Sequence, residues 1–132
     1  MRYMLLVHHN EDVLAALGEA QLQQLREESV QLANRINSSG QYLDAAPLHP
    51  ASATTCVRVR EGNRLVTDGP FAETREQLGG YFLINAKNLD EAIAIGGQIP
   101  GARIGTVEIR AVIELAGLPE NNGQSHNREM GT

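Results

Sequence analysis

A single cysteine, Cys56, occurs in the 132 residues. Without a second thiol the chain forms no internal disulfide and builds no cysteine-based metal site. Cys56 lies in an extended stretch between Thr55 and Val57, where a buried, inert thiol is expected. Basic charge is also scarce: 11 Lys and Arg stand against 16 Asp and Glu, for a formal net charge of −5 and a pI near 5.3. A phosphate-binding surface wants a basic stripe, and the cations here are scattered, so direct nucleic-acid binding is not expected. No segment approaches the roughly 20 apolar residues of a membrane helix, so no membrane partner is expected. The apolar run Tyr3 to Val7 is too short for a signal peptide and lacks a cleavage-like segment. A cytoplasmic protein is the expectation. Phosphate loop, dinucleotide fingerprint and nucleophile elbow are all missing, and no cofactor is expected.

What is present is one domain's worth of alternating pattern. Tyr3, Leu5 and Val7 alternate with Met4 and Leu6, predicting a strand apolar on both faces. One helical turn follows Asp12. Leu22, Leu25, Ser29, Leu32 and Ile36 recur at three- and four-residue steps, predicting a helix from Glu19 to Ser38, with Gly40 as its left-handed cap. A short extended segment, Gln41 to Ala46, precedes a proline-bounded loop. Val57 and Val59 alternate with Arg58 and Arg60 in a strand over 54–60, and Glu61-Gly62-Asn63 is a hairpin signal that returns the chain through Arg64 to Thr67. A strand over 81–86, a helix from Asn88 to about Gln98, and a strand over 106–112 complete the series. Asn88 and Glu91 have capping-box spacing. From Gly117 apolar residues nearly vanish, predicting a polar, disordered tail; the domain proper is expected over 1–115 and the tail over 116–132.

With the hairpin set aside, the order is strand, helix, strand, strand, helix, strand. The expected fold class is α+β, a ferredoxin-like split βαβ sandwich with an inserted hairpin. Two helices cover one face of such a sheet. The apolar residues of the other face predict a second copy packed against it, giving a barrel-like homodimer.

The stretch "TDGPFAETREQLGGYF", Thr67 to Phe82, combines a Gly-Pro turn, three carboxylates, an arginine and a glycine pair before an aromatic strand. Asp68 before Gly69-Pro70 favours a turn, and Gly79-Gly80 permits a close backbone approach. "DGPFAETREQLGGYFLI" closely resembles the DGPF signature of the YCII-related family. "MRYMLLVHHNE", "ATTCVRVREGNRLVTDGPF" and "NLDEAIAIGGQIPGARIGTVEIRAV" are similar to its opening strand, hairpin and closing helix and strand, over residues 1 to 113. The resemblance implies a dimeric, ferredoxin-like α+β fold. It also implies either an enzymatic role, drawn from a His/Asp pair in the wider family, or a part in transcription initiation alongside sigma factors. That pair has no counterpart here: no histidine lies between Asp12 and Gln41, and Ile99 precedes Pro100.

The candidate residues follow from the same loop. Asp68, Glu73 and Glu76 would make a general acid or base if two were buried together, since like charges push one pKa up; the alternative is a turn-capping aspartate with solvated glutamates. Arg75 would pair an anion, and Tyr81 and Phe71 would line an adjoining cleft. His8 and His9 end the first strand and His49 lies in "PLHP"; each would serve as a base if a carboxylate lay nearby, the alternative being an ordinary edge or loop histidine. Arg58, Arg60 and Arg64 either bind an anion or guard the hairpin edge. Three carboxylates at these spacings match no calcium loop, and zinc would need histidine nearby, so no metal is expected. The expected partner is an unidentified small molecule, in a cofactor-independent acid/base enzyme or a binding protein. The alternative is a regulatory module that contacts sigma factors.

Overall fold

The computed structural model describes residues 1–119. Along the chain run β1 (Arg2–His9), α1 (Glu11–Ala15), α2 (Glu19–Ser38), β2 (Tyr42–Pro47), β3 (Thr55–Arg60), β4 (Asn63–Asp68), β5 (Gln77–Asn85), α3 (Leu89–Gly96) and β6 (Gly105–Ala111). β1 is antiparallel to β5 on one side and to β6 on the other, and β2 is antiparallel to the far edge of β5. The four-stranded sheet has the order β2-β5-β1-β6. It is open, with β2 and β6 as its edges, so the architecture is α+β without closure into a barrel.

Strand parity decides which side chains are buried. Leu5 pairs with Phe82 and Tyr3 with Ile84, and these four meet Leu32 and Ile36 of α2 and Ala92 and Ile95 of α3. Met4 pairs with Leu83 and Leu6 with Tyr81, and all four point to the opposite face, where they stay half-buried. Among the described residues no helix covers that face. Only Leu32 and Ile36 of α2 are buried. Leu25 and Leu22, about two and three turns before Leu32 on the expected stripe, remain half-open.

Local signals set the element ends. Gly40 takes a φ of +77°, and the Gln41 amide donates to the Ile36 carbonyl at 2.8 Å, closing α2 in a left-handed cap. Glu61 and Gly62 both have positive φ between the paired Arg60 and Asn63, a two-residue type I′ turn. Asn88 Oδ1 accepts the Glu91 amide, and Glu91 in return accepts from Lys87, one residue before the cap. α3 ends at Gly96, two residues short of the expected end, because Gly97 already closes its last turn onto Ile93.

Three expectations are corrected. β5 starts at Gln77 rather than Tyr81, since Gly79 and Gly80 lie within the strand, Gly79 as a bulge opposite Val7/His8 of β1. Arg64 pairs with Val59, so it faces away from Arg58 and Arg60 and the three arginines form no single patch. Cys56 is half-buried rather than buried, its thiol donating to the Gly69 carbonyl at 3.3 Å. The tail beyond Pro119 lies outside the described residues.

Two measurements test this frame. A methyl on Gly105 would strike the His8 carbonyl and come within 3.0 Å of His9 Cα. Backbone cannot rotate aside, so Gly105→Ala is expected to cost about 1–3 kcal/mol in denaturant unfolding; an unchanged midpoint would refute the β1–β6 register. The Lys87 amide holds the Glu91 carboxyl below the usual carboxylate range, with Gln41 adding a second hydrogen bond. A depressed folded-state pKa gives stability that is present above the unfolded value, about 4.3, and is lost as pH falls through the folded value. The wild-type advantage over Glu91→Gln should therefore hold from pH 8 to 5 and shrink below about pH 4.

Candidate functional site

Polar side chains from the end of β1 tie two distant loops together. Asn10 caps α1, its Oδ1 accepting from the amides of Asp12 (2.9 Å) and Val13 (3.1 Å), while its Nδ2 donates to the Arg75 carbonyl at 3.1 Å. Gln77 accepts the Glu11 amide at 3.0 Å and donates to the Thr74 carbonyl at 2.6 Å. Glu11 Oε2 accepts the Ala51 amide at 2.8 Å. The loop after the hairpin and the loop after β2 are thus both strapped to the β1–α1 corner. Gly69, at φ +87°, donates its amide to the Thr54 carbonyl at 2.7 Å, and Asp68 forms the last rung of the hairpin opposite Thr55.

Beside this corner a cleft of about 710 Å³ runs between α2 and the β2–β5 edge of the sheet. The helix contributes Leu22, Arg26, Val30, Ala33 and Asn37, a stripe displaced from the buried one. Tyr42, Leu43 and Ala45 form the strand wall, and Phe82 and Ile99 lie deep in it. Gly79 and Gly80 make room at the end nearest the loops. A methyl on Gly79 would overlap the His9 imidazole, and one on Gly80 would come 2.9 Å from the Ala46 carbonyl. His9 shares the helix-covered side with Val7, lies against Gly79 and lines the cleft. Its ring makes no hydrogen bond among the described residues.

The residues expected from sequence are distributed as follows. Tyr81 borders the cleft along β5, but its side chain points to the helix-free face, where the hydroxyl donates to Asp44 Oδ2 at 2.8 Å. Asp68, Glu73 and Arg75 are exposed, Glu76 is half-buried, and none of their side chains forms a hydrogen bond or ion pair among the described residues. Phe71 is 79% exposed, and His49 is exposed in its loop. His8 lies on the helix-free face, where Nε2 donates to Glu108 Oε1 at 3.0 Å. The described residues contain no group of three His, Cys, Asp or Glu side chains placed to hold a metal, and none of the helices is long and apolar enough to cross a membrane.

The concave site therefore gathers His9 and Arg26, and neither the Tyr81 hydroxyl nor Asp68. His9 could have been chosen over His8 by parity: it is in step with Tyr3, Leu5 and Val7. Arg26 is found by taking the stripe Leu22, Arg26, Val30, Ala33, which runs beside the core stripe.

Comparison with known proteins agrees with the motif. The family model of the YCII-related domain matches residues 1–116. An uncharacterized protein of Rhizobium meliloti (strain 1021) is 31% identical over 112 residues, which span 83% of this chain and 90% of that protein.

Removing the strap tests how the site is held. Asn10→Ala deletes both the α1 cap and the bond to Arg75. A loss of about 1–2 kcal/mol is expected, with faster amide exchange confined to residues 10–16 and 72–77. Exchange that rises equally in β3 and β4 would contradict a local strap.

Proposed function

The chain belongs to the YCII-related family, and from that premise we propose that it binds a small molecule in the cleft between α2 and the sheet. The observation that carries this reading is the cleft itself. Its volume of about 710 Å³ falls in the range of ligand pockets, and its walls are apolar with a few polar groups, the usual composition of such sites. His9 supplies an imidazole that has no hydrogen-bond partner among the described residues, in position to take or give a proton to a bound molecule. Cofactor-independent acid/base catalysis is the reaction class this imidazole supports.

The proposed assembly is a two-fold homodimer of ferredoxin-like subunits. The strand order β2-β5-β1-β6 and the half-buried Met4, Leu6, Tyr81 and Leu83 support it, because a second sheet would cover those side chains and close a barrel-like body. In that assembly Asp68, Phe71, Glu73, Arg75, Glu76 and His49 act at the rim, on the ligand's exposed end or on the second copy. A second reading rests on the hairpin, where Val57, Val59 and Val66 share one face and are all more than half exposed. Such a surface favours a protein-contact module, with sigma factors as the partner class.

Thermal-shift screening of small metabolites separates the two. A ligand at 100 times its dissociation constant should stabilise the wild type by about 2.7 kcal/mol. Val30→Trp and Ala33→Phe, which narrow the cleft, should abolish that shift, and His9→Gln should reduce it. Hits that survive both cleft variants and vanish in Asp68→Asn would move the site to the loop. Stabilisation by no compound would favour the protein-contact reading.

A further inference from the structure

Building on the cleft as the binding site, we infer that its occupant is a small amphipathic carboxylate, its apolar body along α2 and its charged end at Arg26. The charge of the lining carries the argument. Acidic residues outnumber basic ones 16 to 11 over the chain, yet among the described residues the cleft lining contains no Asp and no Glu. Arg26 is its one permanent charge, and a guanidinium is suited to gripping a carboxylate through two parallel hydrogen bonds.

Among the described residues nothing neutralises Arg26. It makes no ion pair or hydrogen bond among the described residues. Its helical neighbours at three- and four-residue steps are Leu22, Gln23, Ser29 and Val30, so no acid is in reach along the helix. Glu28, on an adjacent flank, is committed to Arg103 at 2.8 Å. Asp44, the acid closest to the strand wall, sits opposite Leu83 on the other face and is held by the Tyr81 hydroxyl and the Ala45 amide. Leu22 and Val30, one turn to either side of Arg26, give the apolar body its contact. A cationic or strongly polar molecule would desolvate against these walls without an acceptor to meet it.

Three probes with one body and different heads test this: octanoate, octanol and octylammonium, titrated calorimetrically into the full chain. Octanoate is expected to bind roughly five- to tenfold more tightly than octanol, and its advantage should fade with rising salt. Octylammonium should bind most weakly. Arg26→Gln, a change on an exposed helical position, should bring octanoate down to the level of octanol. Equal binding of octanoate and octanol, or tighter binding of octylammonium, overturns the carboxylate assignment while leaving the cleft as a site. Binding of no probe, or binding untouched by Val30→Trp and Ala33→Phe, overturns the cleft as well.

Discussion

The structure depends on β1 being hydrogen-bonded along both edges. A strand flanked by β5 and β6 is paired along both edges, so its residues are fixed in register. Parity then sends Tyr3, Leu5 and Val7 toward the helices and Met4 and Leu6 away from them. Those two sets of side chains organise opposite halves of the molecule. The first makes the core with Leu32, Ile36, Phe82 and Ile84, and the second leaves an apolar surface that no helix covers among the described residues. One paired strand therefore specifies both the interior and the apolar outer face.

The cleft is a consequence of how few layers the domain has. Helix α2 is 20 residues long, but its C-terminal half alone reaches the sheet closely enough to bury Leu32 and Ile36. Toward its N-terminus the helix overhangs, and the half-open Leu22 and Leu25 form a roof rather than a core. The two glycines that admit β5 beneath this roof also let β2 come close and seat the His9 ring. A bulge in β5 at Gly79, opposite Val7/His8, adjusts the pairing where the imidazole turns inward. Site and scaffold are made by the same irregularity.

Much of the fold was legible in the sequence because its signals are local. Gly40, Glu61-Gly62 and Asn88 each act within four residues, and period-two alternation identified both central strands. The parts that were missed depend on contacts far apart in sequence. The strap from Asn10 to Arg75 spans 65 positions, and His9 meets Gly79 across 70. No window of a dozen residues can reveal that the glycine pair belongs inside a strand, or that the neighbouring loop presents its carboxylates to solvent. Arg64 was misjudged for a different reason: a two-residue turn fixes cross-strand partners, and counting from Arg60↔Asn63 places it on the valine face. Asp68 reads as chemistry in isolation, whereas its position as the final rung opposite Thr55 shows it also terminates a ladder.

The hairpin of β3 and β4 forms its own two-stranded sheet and shares no rung with the other four strands. Its length is thus uncoupled from the register of the main body. Adding or deleting one residue in each arm would lengthen or shorten the finger by a rung while every pairing below it stayed in place. Relatives could then vary its reach freely, and with it whatever surface the tip touches, without renegotiating the interior.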